Sequence, residues 1–177
     1  MSREAGGTPE AFYWQAMFFL EAAMAVSKDA AERKEQNPIF NNYEFVIVGT
    51  HHAFASELLL KGIMLHDGIT PPRGADGHNL SVLLSLPEMG DLKNKISTAF
   101  SQLPSRHVDA SGAIYASYNS QHPVGSFDYF LEFHAKHFID IRYACEGVPK
   151  GLDMNFTSFL CGELKNELKK KIDTNSE

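Results

Sequence analysis

Several features that would place a protein in a familiar class are scarce in this sequence of 177 residues. Its two cysteines, Cys145 and Cys161, show no C-x-x-C spacing and are too few for a disulfide framework, so we expect both to be small buried side chains rather than nucleophiles. No apolar run reaches the roughly 18 to 20 residues of a membrane-spanning helix. The N-terminus lacks a signal-peptide pattern, which predicts a cytoplasmic protein without a membrane partner.

Positive charge is also in short supply. Sixteen Lys and Arg residues stand against 22 Asp and Glu residues, which gives a formal net charge of −6 and argues against tight nonspecific binding to nucleic acid. The clearest local exception is a basic patch near the C-terminus. It consists of Lys165, Lys169, Lys170 and Lys171. We interpret this patch as a solvated last helical turn that complements the helix dipole.

Apolar residues, in contrast, are plentiful, with 44% hydrophobic content and 13 Phe. This composition predicts one globular domain over residues 1–177. The helical spacing of the apolar positions predicts an all-α fold, an antiparallel bundle of about five to six helices. The most apolar stretch, residues 42–66, is apolar around almost its whole circumference, which is typical of a central helix buried on all sides. We expect the first, fifth and sixth helices to surround it.

Residues that typically begin or end helices divide the rest of the chain into segments. Thr8 and Pro9 begin a first helix that should end near Arg33, and Asn79 begins a short helix that Pro87 ends. The fourth helix begins at residues 89–91 and continues to about residue 103. These boundaries place the first four helices of the bundle.

The C-terminal half of the chain begins with a segment that shows no helical pattern. Residues 104–125 form a long irregular loop, and Ser126 caps a fifth helix that Gly147 ends. The sixth helix begins near Asp153 or Asn155, and residues 173–177 are expected to be a frayed tail. Aromatic residues around Phe127 to Phe133 are expected to be exposed, and a second copy of the chain would then cover them.

Charged residues on helices that otherwise appear buried are the main chemical signal. Glu57 and Lys61 lie four apart on the central helix, and Arg142 and Glu146 lie four apart on the fifth. We interpret these four as one fully paired internal network, with an active site as the alternative, because an unpaired buried charge costs several kcal/mol. Gly62, with Ala55, marks a strip where another backbone can approach closely.

The eight histidines raise the question of a metal site. No Glu lies three residues before any His, and H-E-x-x-H is absent, so the two helical metal motifs are missing and no metal or cofactor is predicted. His134 lies in an apolar seam, where a hydrogen-bonded core histidine is expected. His137 falls on a more exposed side of the same helix, as a surface residue or a member of the polar cluster.

Three segments together resemble the HEPN superfamily of all-α proteins. They are ASELLLKG at residues 55–62, GHNL at residues 77–80 before Leu83 and Leu84, and Phe138, Arg142, Tyr143 and Glu146 on a later helix. The resemblance spans residues 42–147. It implies an antiparallel helical bundle, frequently a homodimer, in a superfamily many of whose members are ribonucleases of toxin–antitoxin, phage-defence or CRISPR-linked systems.

In those ribonucleases an Arg and a His, four to six residues apart at the start of a late helix, meet their counterparts across a dimer cleft and cut RNA without metal. In this sequence Arg73 and His78 match the spacing, but they lie in the loop before a middle helix. Arg can stabilise charge on phosphate and His can move a proton, so this pair is the candidate catalytic pair. Arg142 is the alternative phosphate contact.

The resemblance thus implies an RNA- or nucleotide-associated protein of a defence or stress system, which if catalytic is a metal-independent ribonuclease. A noncatalytic helical interaction or scaffold module with a cognate protein partner is the second hypothesis. A metal-binding helical bundle is the third. An accessible Arg/His cleft would favour the first, and a buried, paired cluster around Glu57 and Lys61 would favour the second.

Overall fold

The structure, a computed structural model, describes residues 7–36, 43–103, 120–135 and 153–174. These residues form six α-helices and two short 3₁₀ turns, with no strand among them, which confirms the predicted all-α bundle. The helices are α1 (Pro9–Gln36), α2 (Tyr43–His66), α3 (Leu80–Leu84), α4 (Gly90–Ser101), α5 (Phe127–His134) and α6 (Met154–Thr174). The 3₁₀ turns are Gly74–His78 and Pro87–Met89.

Helix α2 is the central helix that the apolar pattern predicts. It packs along α1 and along α6, and Leu59, Leu60, Ile63 and Met64 on successive turns are almost completely buried. Because these side chains point in different directions around the helix axis, α2 must be covered on several sides. The β-branched residues near its start do not divert it into a strand, since the helical apolar pattern continues without a break to His66.

The predicted close approach occurs at Gly62. A Cβ atom built on Gly62 would lie 2.6 Å from Leu168 Cδ2 on α6 and 3.1 Å from Phe12 Cβ on α1. Both distances are shorter than ordinary van der Waals contact, so a side chain at this position requires Leu168 or Phe12 to shift. Ala55, the other small residue of the strip, is completely buried.

Two glycine substitutions should therefore change stability in opposite directions. Gly62→Ala is expected to lower the free energy of unfolding by about 1 kcal/mol, because the clash with Phe12 and Leu168 exceeds the gain in helix propensity. Gly162→Ala in α6, where an added Cβ meets no atom within 4 Å, should raise it by about 0.5 kcal/mol. Urea denaturation measures both, and a stabilising Gly62→Ala would contradict the close packing.

The predicted helix starts are confirmed by their caps. The Asn79 side chain accepts hydrogen bonds from the backbone N–H groups of Ser81 and Val82, and Ser126 accepts one from Tyr129. For the last helix, Asp153 rather than Asn155 is the cap, because Asp153 Oδ1 accepts from the N–H groups of residues 155 and 156. That helix continues to Thr174, two residues past the end that the sequence predicts.

The expectation that the aromatic residues of the fifth helix are exposed is wrong. Phe127, Tyr129, Phe130 and Phe133 are buried within the single chain rather than exposed, because rings from α4 and α6 pack against them. The described part of α5 packs chiefly on α3 and α4 rather than on the central helix. The backbone makes the same connection, since the N–H of Leu80 donates to the carbonyl of residue 135 at 3.0 Å.

The large exposed aromatic residues are found on α1 instead. Trp14 and Phe18, which lie one helical turn apart on α1, are 62% and 69% exposed. In the ranges that the structure describes, no helix is long and apolar enough to cross a membrane. Most of the predicted loop, residues 104–119, lies outside these ranges.

Candidate functional site

The charged residues of α2 form a compact cluster with the 3₁₀ turn that precedes α3. Glu57 is buried, with 3% of its side chain exposed, and its Oε1 accepts a hydrogen bond from Lys61 Nζ at 2.6 Å. The same Oε1 lies 3.0 Å from Nδ1 of His78. Lys61 is 16% exposed and His78 is 43% exposed, so the cluster runs from the core to the surface.

Local sequence rules explain why these groups meet. Glu57 and Lys61 are one helical turn apart, so their side chains lie on the same face of α2. The residues before and after His78 in the sequence fix the position of its backbone. A Cβ at Gly77 would lie 2.3 Å from the Pro72 carbonyl oxygen, so the turn closes only with glycine there, and Asn79 directly caps α3.

The contact with the carboxylate sets the role of one imidazole nitrogen. A carboxylate only accepts hydrogen bonds, so Nδ1 of His78 carries a proton and donates it to Glu57. A carboxylate behind a histidine in this way orients the ring and stabilises its charged form during proton transfer. Glu57 Oε2 is buried and has no hydrogen-bond partner among the residues that the structure describes.

Arg73 lies at the other end of the same short turn. It precedes Gly74, with extended backbone dihedrals (φ −101°, ψ 166°), and its side chain is exposed. The two residues that the sequence selected as a catalytic pair thus bracket one 3₁₀ turn at the surface. The turn presents a guanidinium and a half-exposed imidazole, which are groups that can bind phosphate and move a proton.

Three other candidate residues lie outside the described residues: Arg142, Glu146 and His137. Among the described residues, the polar network joins Glu57 to Lys61 and to His78. The participation of His78 was missed by the sequence reasoning. The signal available for it was the tight Gly77 turn just before the Asn79 cap, which marks a loop fixed in place.

His134 behaves as predicted. It is 1% exposed, its Nδ1 donates to the carbonyl of Phe130 at 2.8 Å, and its Nε2 accepts from the N–H of Asp153 at 3.1 Å. The ring also stacks on Phe156, with centroids 5.0 Å apart. His134 is therefore a structural residue that joins α5 to the start of α6.

Cys161 is buried, and this burial raises the pKa of its thiol to about 11. A thiol with such a pKa is almost entirely protonated at neutral pH, which agrees with the predicted structural role. Cys145 lies outside the described residues. In the part of the chain that the structure describes, no three His, Cys, Asp or Glu side chains are placed to hold a common metal ion.

Two of the four lysines in the basic patch at the C-terminal end form ion pairs with carboxylates of the described residues. Lys171 binds Asp67 at 2.7 Å, and Lys169 binds Asp173 at 2.8 Å. Burial alone would raise the pKa of Asp67, but hydrogen bonds from Lys171 and His66 hold this pKa below its ordinary value. Two of the four lysines thus act as partners of carboxylates, and Lys171 joins the end of α6 to the residue that follows α2.

Comparisons with known proteins give no relative from which a function could be transferred. The sequence matches no protein-family model and no curated protein, and the fold matches no solved structure. The functional conclusion therefore depends on the residues and their geometry.

Proposed function

We propose that the chain is a HEPN-like, RNA-associated protein of a defence or stress system that cleaves RNA without metal at the Arg73–His78 turn. The observation that supports this most strongly is the 3.0 Å contact between buried Glu57 and half-exposed His78. This contact supports an acid–base role for His78, and Arg73 lies at the other end of the same turn.

The proposed reaction at this turn is an internal transesterification of RNA. Nε2 of His78 takes the proton of a ribose 2′-hydroxyl, the oxygen attacks the adjacent phosphorus, and the bond to the 5′-oxygen of the next nucleotide breaks. The imidazolium then returns the proton to that leaving oxygen, giving a 2′,3′-cyclic phosphate and a 5′-hydroxyl. Arg73 stabilises the negative charge on the phosphate during the displacement.

We include a homodimer in the proposal, in line with the HEPN resemblance. The exposed Trp14 and Phe18, one helical turn apart on α1, support it, because large apolar side chains exposed together on one helix are typical of an interaction surface. A second copy would also bring a second Arg73–His78 turn into the assembly.

The test is cleavage of a mixed RNA panel by the purified chain in EDTA. His78→Ala is expected to reduce the rate by about 100-fold, the usual contribution of a general acid or base, and Arg73→Ala by a similar factor. His122→Ala, at an exposed histidine outside the cluster, is the matched control and should leave the rate unchanged. Loss of activity with Arg142→Ala alone would move the site to Arg142 and contradict the assignment.

The second candidate is a noncatalytic helical interaction module, and one observation favours it. The Glu57 carboxylate and the Lys61 ammonium are both largely buried and paired with each other, as in a cluster that only specifies packing. In that case folded wild-type protein would show no RNA cleavage, while substitutions at Glu57 would still destabilise the fold.

A further inference from the structure

A pocket of about 420 Å³ lies between α1 and α6, beside the central helix. Its volume falls within the roughly 300 to 1,000 Å³ that is typical of sites for small molecules. None of its lining residues belongs to the Arg73–His78 turn, so the pocket is separate from the proposed ribonuclease site. The wall that α1 provides is largely apolar and consists of Met17, Leu20 and Met24.

Helix α6 lines the opposite side of the pocket with a buried residue and a glycine. Cys161 is 1% exposed, so the pocket extends to the edge of the hydrophobic core. At the neighbouring Gly162, no atom lies within 4 Å of a Cβ built on the backbone. Because no side chain fills this space, the pocket can accept an apolar group between α1 and α6.

Two side chains of opposite charge also line the pocket. Lys165 is half-buried on α6 and Glu21 is exposed on α1, and neither forms an ion pair with another residue in the described ranges. The neighbouring Lys169, in contrast, is bound to a carboxylate. Burial raises the pKa of the Cys161 thiol to about 11 and the Lys165 ammonium opposes this rise, so the ammonium lies near the thiol.

We propose that this pocket binds a free aromatic α-amino acid, with its carboxylate at Lys165, its ammonium at Glu21 and its ring against the methionines of α1. Thioether sulfur atoms make favourable contacts with aromatic rings. Near neutral pH an amino acid carries both charges on its α-carbon, so it offers one partner to each unpaired side chain. A ligand with only one charge would be repelled by Glu21 or by Lys165.

The same argument selects a free amino acid over a segment of a protein partner. A residue inside a peptide has neither charge on its α-carbon, and a terminal residue has only one of them. The ligand is therefore tested against two analogues that each lack one charge. Phenethylamine lacks the carboxylate, and 3-phenylpropionate lacks the ammonium.

The test is calorimetric titration of the full-length chain with L-phenylalanine and the two analogues. Phenethylamine is expected to bind about tenfold more weakly than L-phenylalanine, because it loses a charge-assisted contact with half-buried Lys165. The loss for 3-phenylpropionate should be about threefold, because Glu21 is exposed and water screens its charge.

Charge variants of the protein should reproduce the losses seen with the analogues. Lys165→Gln is expected to weaken L-phenylalanine binding about tenfold without weakening phenethylamine, which has no carboxylate for the lysine to contact. Glu21→Gln should weaken L-phenylalanine about threefold without weakening 3-phenylpropionate. Lys28→Gln and Glu32→Gln, which remove the same charges from exposed positions of α1 outside the pocket, are the controls and should leave binding unchanged.

A further variant tests the apolar part of the pocket. Gly162→Leu places a side chain in the open space on α6, and it should weaken L-phenylalanine and both analogues by at least about tenfold. Because the built Cβ meets no atom within 4 Å, the variant should keep the far-ultraviolet circular dichroism spectrum of the wild type.

The proposal is overturned if L-phenylalanine does not bind at millimolar concentration, or if either analogue binds as tightly as L-phenylalanine. It is also overturned if Lys165→Gln behaves like Lys28→Gln, or if folded Gly162→Leu binds as the wild type does. His78→Ala should bind L-phenylalanine normally, because His78 does not line the pocket. The failure of this proposal and the failure of the proposed ribonuclease are thus seen in different measurements.

Discussion

Glu57→Leu is expected to lower the free energy of unfolding by about 3 kcal/mol. The substitution removes the carboxylate that binds Lys61 at 2.6 Å, and it leaves an ammonium group with only 16% of its side chain exposed and without its charge partner. The penalty arises from the unpaired charge more than from the lost attraction. Urea denaturation of the variant and the wild type measures it.

The double variant Glu57→Leu/Lys61→Met is the matched control. Replacing both members of a buried ion pair with apolar groups of similar size is often close to neutral, so the double variant should regain most of the lost stability. His78 is 43% exposed, so water can replace the lost carboxylate at its ring. A double variant as unstable as Glu57→Leu would show that the carboxylate stabilises the fold by a route other than Lys61.

His134→Phe should cost about 2 kcal/mol. Phenylalanine can keep the ring stacked on Phe156, but it removes the acceptor of the buried Asp153 N–H and the donor to the Phe130 carbonyl. The substitution therefore isolates the hydrogen bonds that join α5 to α6 from the packing of the ring. Thermal unfolding followed by circular dichroism measures the effect.

The same substitution at an exposed histidine, His122→Phe, provides the comparison and should change stability by less than about 0.5 kcal/mol. Equal stability of His134→Phe and the wild type would show that ring packing alone explains why a histidine is buried at this position.

Elements whose signals are local were predicted well. The apolar circumference of α2 identified the central helix, and Asn79, Ser126 and Asp153 each cap the helix that follows them. Gly62 was predicted to be a point of close approach because it forms a strip of small residues with Ala55. These features depend on a few neighbouring residues, so the sequence contains enough information to place them.

Contacts between distant residues were predicted less well. Phe127 and Phe130 were expected to be exposed, because their helix alone gives no sign of the Phe100 and Phe156 rings that cover them. The Glu57 to His78 contact spans 21 positions and crosses a loop, and it requires the backbone contact between Gly77 and Pro72 to form. Neither periodicity nor spacing contains such information.

The proposed ribonuclease is tested by identifying the RNA ends that the wild type and His78→Gln produce in EDTA. We expect 2′,3′-cyclic phosphate and 5′-hydroxyl ends from the wild type, and about 100-fold less of both from the variant. Folded wild-type protein that yields no cleaved RNA, or a His78→Gln variant that cleaves as fast as the wild type, would contradict it.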